Sequence, residues 1–366
     1  MKLSFNKTEL VDATNIVLKA VSSKTTMPIL TCIFIEAEND EIKMTGNDLE
    51  LAIETKVKGV IAEEGKIAVD AKLFSDIIRK LPEGEITITE NREMINISGG
   101  KSNFDIQGRG ADEFTKLPSI KTDEYICVSE FTLKEVVRQT IFSIAANDNN
   151  KMMSGELFEI NGDNLKVVSL DGHRISIRNV KLRETYNPKK VIIPGKTLLE
   201  ISRIIPGNAD SDVYIFFSDN YVIFEYGDTV VLSRLIEGEY FKVDKMISTD
   251  YEVKITVNKR EFLDSIERSL LLVRESDRKP IVLGIEEGKM DVSMTTVIGS
   301  LKEEIEIAKE GKDIKIGFNP RFLSDAMKAI DDEEINIYMV NAKSPCFIRD
   351  AEDSYIYLIL PINFIA

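Results

Sequence analysis

The sequence predicts an α+β protein built from three similar domains, each made of two βαβββ modules, and internal repeats carry that prediction. The segment Asn6-Lys7-Thr8-Glu9-Leu10-Val11-Asp12 returns 252 residues later as Asn258-Lys259-Arg260-Glu261-Phe262-Leu263-Asp264, and Pro28-Ile29 returns at the same offset as Pro280-Ile281. Halfway between, Glu113-Phe114-Thr115-Lys116-Leu117 reappears 126 residues on as Glu239-Tyr240-Phe241-Lys242-Val243. The unit is therefore close to 125 residues, and the 366-residue chain holds three of them. A second helical motif recurs once per unit: Lys72-Leu73-Phe74-Ser75-Asp76-Ile77-Ile78, Lys196-Thr197-Leu198-Leu199-Glu200-Ile201 and Arg321-Phe322-Leu323-Ser324-Asp325-Ala326-Met327. Two helices per unit make two half-units. The predicted domains are 1–120, 121–248 and 249–366.

The helices are expected over 6–21, 70–81, 130–146, 195–205, 258–274 and 319–330, with Pro82 and Pro206 stopping the second and fourth. Around them the pattern changes to period two. Ile33–Glu36, Glu41–Thr45, Glu85–Thr89, Met94–Ser98, Asn103–Gln107, Val213–Phe217, Tyr221–Tyr226, Asn336–Val340 and Tyr355–Leu360 carry β-branched or aromatic residues between turn signals such as Asn39-Asp40, Gly99-Gly100 and Asn161-Gly162. These read as antiparallel strands, so each module is expected to lay its helix on one face of a sheet. The C-terminal Ile356–Ala366 is unusually apolar. It reads as a last strand through Leu360, followed by residues that line a groove for a partner peptide.

Composition narrows the function. Apolar residues make up 43% of the chain, with 20 Gly and 10 Pro, which suits ordinary cores and argues for a soluble globular protein. No apolar run approaches the ~20 residues needed to cross a bilayer, and Met1-Lys2-Leu3-Ser4 opens no signal peptide, so a cytoplasmic, non-membrane protein is expected. Cys32, Cys127 and Cys346 are too far apart in sequence for a disulfide framework or a zinc cluster, and His173 is the single histidine; no metal and no cofactor are expected. A formal charge of −15 ordinarily repels nucleic acid. The six helical segments nevertheless sum to +4, so acid is concentrated on strands and loops while the helices are mildly basic, as one nucleic-acid-tolerant surface requires.

Two motifs invite chemistry and fail it. Pro194-Gly195-Lys196-Thr197 ends like a phosphate-binding loop, but the full pattern needs Gly where this chain has Lys190; a turn feeding a repeated helix explains it better. Asp171-Gly172-His173-Arg174 suggests an orienting acid and a base, the basis of an alternative hydrolase reading. Sequence neighbours do not supply that geometry, and no partner nucleophile is identifiable.

Together Lys24-Thr25-Thr26-Met27-Pro28-Ile29-Leu30, Thr45-Gly46-Asn47-Asp48-Leu49-Glu50, Asp171-Gly172-His173-Arg174-Ile175, Val191-Ile192-Ile193-Pro194 and Gly317-Phe318-Asn319 resemble, in order and over the whole length, the bacterial sliding clamps, the beta subunits of the replicative DNA polymerase III holoenzyme. The resemblance implies a ring-shaped head-to-tail homodimer with helices lining a central hole and antiparallel sheets outside. It also implies a non-catalytic function: encircling duplex DNA without sequence preference, giving the replicative polymerase processivity, and tethering polymerases, the clamp loader and repair proteins through a peptide groove. The implied partners are double-stranded DNA, a second copy, the polymerase III alpha subunit, the clamp loader and other proteins carrying the clamp motif.

Carried over residue by residue, the resemblance places Lys24, Arg79, Lys80, Lys196 and Arg203 against DNA, with Asn147, Asn150 and Lys151 in a loop where the family usually has Arg at position 150. It maps the groove onto Met153, Leu170, Gly172, His173, Arg174, Ile175, Phe241, Lys245, Met246, Pro345, Leu358, Leu360, Pro361 and Ile362, mostly apolar with a basic rim, where leucine and phenylalanine anchors would dock. The family's Met-Pro-Met-Arg ending is here Leu360-Pro361-Ile362-Asn363 with three further residues, and Leu170 replaces a common threonine. Subunit closure maps onto Lys101, Phe104 and Ile106 on one side and Leu271, Leu272, Glu303, Glu304 and Glu306 on the other, with opposite charges favouring head-to-tail docking.

Overall fold

The computed structural model describes residues 1–22, 24–114, 124–145, 150–274 and 279–364. Its six α-helices are α1 (Lys7–Val17), α2 (Ala71–Lys80), α3 (Glu130–Thr140), α4 (Gly195–Ile204), α5 (Lys259–Leu270) and α6 (Pro320–Ala329). Side-chain caps start five of them: Asn6 accepts from the Thr8 N–H, Asp70 from Leu73, Ser129 from Thr132, Asn258 from Glu261 and Asn319 from Arg321, at 2.8–3.1 Å. The 252-residue repeat is thus, in part, a repeated helix start, with Asn6 and Asn258 as caps and Glu9 and Glu261 in the first turns.

The odd-numbered helices are shorter than the sequence predicts, and all three for one reason. After α1, α3 and α5 the backbone tightens into i→i+3 bonds: Val21 N–H to Leu18 C=O, Ile144 N–H to Ile141 C=O, and Leu271, Leu272 and Val273 N–H to Arg268, Ser269 and Leu270 C=O. Hydrophobic periodicity runs on through such turns and does not distinguish them from an α-helix. The even-numbered helices α2 and α4 stop ahead of Pro82 and Pro206, as predicted.

Among the described residues all strand pairs are antiparallel. The pairing changes what a module is. The first strand of each module joins the sheet of its sister: Lys2–Asn6 pairs with Glu85–Asn91, Gly65–Asp70 with Cys32–Glu38, Tyr125–Ser129 with Asp212–Phe217, Val253–Asn258 with Glu334–Met339 and Ile314–Phe318 with Ile281–Glu286. Val191–Pro194 likewise pairs with Gly155–Phe158. A βαβββ module therefore does not complete its own sheet, and the two modules of a domain are bound by exchanged strands.

Asn161-Gly162, read from sequence as a turn, is instead a register shift inside one long hairpin formed by Gly155–Leu170 and Arg174–Pro194; the chain reverses at 171–173. Gly162 takes φ +64°, the left-handed conformation that such a bulge needs.

The chain divides into two compact units, one of Met1–Leu133 with Leu199–Leu235, the other of Lys134–Leu198 with Ile236–Ala366. In the first, a 13-stranded sheet includes Thr229–Ser233 paired with Leu51–Thr55, so hydrogen bonding runs on past the predicted boundary near 120. In the second, a 10-stranded sheet includes Arg174–Arg178 paired with Tyr355–Ile359, past the boundary near 248. The second unit buries Val253, Phe262, Ile266, Ile281, Phe318, Met327, Tyr355 and Tyr357 in one core, with α5 packed on α6. Among the described residues no helix is long and apolar enough to cross a membrane.

Candidate functional site

A second, smaller apolar cluster in the unit Lys134–Leu198/Ile236–Ala366 gathers five distant segments: Leu157, Val168 with Leu170, Ile175 with Ile177, Val243, and Phe347 with Leu358, against the half-buried Met153, Tyr240, Phe241 and Ile247. Five of the sequence-predicted groove residues meet here: Met153, Leu170, Ile175, Phe241 and Leu358. Three of these are floor: Leu170, Ile175 and Leu358 are at most 6% exposed. Accessible apolar surface comes from Met246 (48%) and Leu360 (38%), with Pro345, Pro361 and Ile362 half-buried and Lys245 and Gly172 exposed. Val243, Phe347, Tyr240 and Ile247 belong to the cluster and were not foreseen. The first and third lie in the repeated segment Glu239–Val243, a signal present in the sequence.

Arg174, mapped by the resemblance to the groove, is largely buried. It is 8% exposed, because its guanidinium is taken up inside the protein by Asp171, Asp325 and the Phe142 carbonyl and lies 4.1 Å from the Phe322 ring centre. Asp171 is equally committed. Its Oδ1 accepts from the backbone N–H groups of His173 and Arg174 and its Oδ2 from Arg174 Nε, so it holds the 171–174 turn and does not orient His173 as a base. The His173 ring stacks on Phe322 at 6.3 Å. The tail continues from this turn: Leu360 N–H donates to His173 C=O at 2.9 Å and Ile362 N–H to Gly317 C=O at 2.8 Å. Phe364 then lies on Gly317, where a Cβ would stand 2.7 Å from its ring, so the end of the chain packs on the strand Ile314–Phe318.

Beneath the cluster sits Glu156, fully buried. Its Oε2 accepts from Thr140 Oγ1 at 3.0 Å, while Oε1 has no hydrogen-bond partner. Burial pushes its carboxyl up to about 8, against a smaller opposing pull from the Thr140 hydrogen bond. The Tyr240 hydroxyl, buried nearby and hydrogen-bonded to the Gly155 and Val168 carbonyls, is also shifted upward by desolvation.

The residues expected against DNA are simpler. Lys24, Arg79, Lys80, Asn150, Lys151, Lys196 and Arg203 are exposed, and Asn147 lies outside the described residues. Arg79 and Lys80 end α2, Arg79 donating to Asn15 of α1; Arg203 of α4 pairs with Glu200, which also meets Lys19. The Asn150 side chain accepts from Met152 N–H and caps the turn Lys151–Ser154, which gives asparagine a local structural use there. Gly195 opens α4 in close packing, where a Cβ would stand 2.3 Å from Ile144 Cδ1 and 3.0 Å from the Ser154 carbonyl oxygen.

Of the remaining predicted residues, Phe104, Ile106, Glu303, Glu304 and Glu306 lie on two open strand edges, Lys101 lies in the turn before the first, and Leu271 and Leu272 lie in the turn after α5. Ser102–Arg109 pairs on one side with Met94–Gly99, and on the other only through Gly108 and Arg109, so 102–107, carrying Phe104 and Ile106, has a side without a strand partner among the described residues. Ser300–Gly311 has the same form: 300–306 pairs with Lys289–Thr295, and its other neighbour, Val253–Val257, begins only at Ile307. Phe104 is 39% and Leu271 79% exposed, and Lys101 is exposed. Two of the three acids are already engaged within the chain: Arg268 forks onto Glu303 at 2.6 and 2.8 Å and holds its carboxyl below the usual range, and Lys289 stands 3.5 Å from Glu304. Among the described residues no group of three or more His, Cys, Asp or Glu side chains is placed to hold a metal ion.

Known proteins match this architecture along the entire chain. Sequence profiles of the DNA polymerase III beta subunit match its N-terminal domain at residues 1–118, central domain at 127–242 and C-terminal domain at 244–363. The beta sliding clamp of Staphylococcus aureus is 33% identical over 375 residues, covering 99% of each protein, and that of Staphylococcus epidermidis is 34% identical with the same coverage. Among solved structures, a putative DNA polymerase III beta subunit from Eubacterium rectale is 56% identical (TM-score 0.96, covering 100% of this chain and 99% of that one), and the DNA polymerase sliding clamp of Bacillus subtilis is 32% identical (TM-score 0.96, covering 100% of both). With the repeated modules, the exchanged strands and these full-length likenesses together, the chain belongs to the beta sliding clamp family and has its three-domain clamp fold.

Proposed function

We propose that this chain closes into a head-to-tail homodimeric ring that encircles duplex DNA and slides on it, with three domains per protomer, 1–120, 121–248 and 249–366. The observation that carries the proposal is the pair of open strand edges. An unpaired edge invites aggregation, and pairing 102–107 of one copy with 300–306 of another removes both at once. Phe104, Ile106, Leu271 and Leu272 would supply the apolar contact. Lys101 and the acids Glu303, Glu304 and Glu306 would add orientation, reduced by the internal pairs of Glu303 and Glu304.

As a beta clamp the protein is a processivity factor for DNA polymerase and not a catalyst. Its hold on DNA is topological. Lys24, Arg79, Lys80, Lys196, Arg203 and the 147–151 loop would touch the phosphate backbone, which needs exposed cations and no base contacts. The groove around Met153, Leu170, Ile175, Phe241, Met246, Leu358 and Leu360 would take leucine and phenylalanine anchors of partner peptides, those of the polymerase III alpha subunit and the clamp loader among them, in the cytoplasm. The test is retention. Loaded on closed circular DNA, the protein stays through a high-salt wash and is lost when the circle is linearised; salt-sensitive release from both forms overturns the ring.

A further inference from the structure

We infer that Val297 and Ile298, at the tip of one hairpin, dock on Leu73 and Met94 of a second copy and close one end of the subunit seam with an apolar contact; this rests on the ring reading and deepens it. The tip joins the strands Lys289–Thr295 and Ser300–Gly311. Thr296 N–H and Oγ1 both donate to the Gly299 carbonyl, at 2.9 and 3.2 Å, and Ile298 N–H donates to Thr296 Oγ1 at 3.3 Å, so the turn is held in shape from within. Tight turns ordinarily carry Gly, Asn, Asp, Pro or Ser. Here two β-branched apolar side chains stand in solvent, Val297 86% exposed and Ile298 exposed beside it. Leu272 continues the patch, since a Cβ at Gly299 would stand 3.4 Å from its Cδ2, and the exposed Leu271 precedes it.

A lone exposed apolar residue needs no partner; the place of these two against the strand edges assigns one. The tip stands at the 300 end of the open edge 300–306, where Thr295 pairs with Ser300. The other open edge, 102–107, has a matching end. The exposed Met94 pairs there with Gln107. Val69 pairs with the next residue, Gly108, and its strand ends at Asp70, directly before the first turn of α2 with the exposed Leu73. At the far ends stand Lys101 on one edge and Glu304 and Glu306 on the other. Antiparallel pairing brings 107 to 300 and 102 to 306, so apolar meets apolar and cation meets acid. Parallel pairing would set Lys101 against Val297 and Ile298, and Met94 against Glu306, desolvating charge on an apolar surface. Both patterns choose one register, and it joins the tip to the partner's Leu73 and Met94. Arg268 already holds Glu303, and Lys289 stands by Glu304, so the apolar end contributes more to the seam than the charged one.

The dimer dissociation constant in sedimentation velocity tests this, with circular dichroism to show that each variant is folded. Val297→Ser with Ile298→Ser raises the constant about 10- to 100-fold, Leu73→Ser with Met94→Ser does the same, and all four together raise it by less than the product of the two effects. Ile298→Glu also weakens the dimer. Adding Leu73→Lys to that chain restores it, in a form that high salt weakens more than it weakens the wild type. Tip variants that dimerise like the wild type, while Leu271→Glu does not, overturn the dock and leave the ring standing. Two pairs whose effects multiply in full, or a lysine at 73 that restores nothing, overturn the contact between them. A wild-type chain that stays monomeric at every concentration overturns the ring and the dock with it.

Discussion

The apolar groove and the exposed cations obey different rules. The apolar cluster at the proposed groove draws Leu157, Leu170, Ile175, Val243, Phe347 and Leu358 from segments up to two hundred residues apart. The cations Lys24, Arg79, Lys80, Lys196 and Arg203 each stand exposed, Lys24 in a loop and the other four on α2 and α4. A peptide anchor is recognised by a shaped, desolvated pocket, whereas phosphate backbone is met by charge that solvent already reaches. Demanding surfaces therefore concentrate where the packing is deepest.

Four measurements sharpen or break that contrast. Glu156, beneath the groove, should show the largest effect. The folded chain keeps its carboxyl protonated up to about 8, while an unfolded glutamate releases the proton near 4.5. Stability therefore falls as pH rises from about 4.5 to about 8 and levels off outside that window. Glu156→Gln removes this slope and stabilises the protein by on the order of 2–4 kcal/mol at pH 8, with little change at pH 4, in urea unfolding followed by circular dichroism. Equal effects at both pH values would place a charged carboxylate there.

Next, Met246→Asp puts charge on the exposed lip of the groove and should weaken binding of a leucine–phenylalanine peptide about 10- to 100-fold by fluorescence anisotropy, with retention on circular DNA unchanged. Loss of DNA retention instead would mean that the two surfaces are not separate. Leu271→Glu, at a side chain 79% exposed, should raise the dimer dissociation constant about tenfold in sedimentation velocity and leave the thermal midpoint of the monomer unchanged. A dimer indifferent to it would move the interface elsewhere. The smallest effect belongs to the cations. Arg79→Ala with Lys80→Ala should lower the salt slope of binding to short duplexes by up to about 2 and leave the half-life on a closed circle untouched. A shortened half-life would show grip where enclosure is proposed.

Particular residues show how much was legible in advance. The modules were legible because their punctuation is local: Asn6 and Asn258 cap the helices they precede, Pro82 and Pro206 follow the helices they end, and Asn39-Asp40 takes the positive φ of a tight hairpin turn. Strand exchange was not, since a strand's alternation states which face is buried and not which neighbour it meets. The same limit turned Asn161-Gly162 from a turn into a bulge. Met153, Phe241 and Leu358, which the resemblance maps to one groove, meet in one apolar cluster, whereas the burial of Arg174 is not legible in sequence, because a positive charge carries no record of the carboxylates that will surround it.

By itself the sequence determined six helix-bearing modules in three repeats, the segregation of acid away from the helices, and the surface positions of its cations, all consequences of periodicity, capping and composition that act within a few residues. Only the tertiary structure decided which strands exchange, which edges stay open, that Glu156 is buried with one oxygen unpartnered, and that Arg174 is largely buried. Those outcomes depend on hydrogen bonding and desolvation between residues far apart in the chain, where no local pattern reaches.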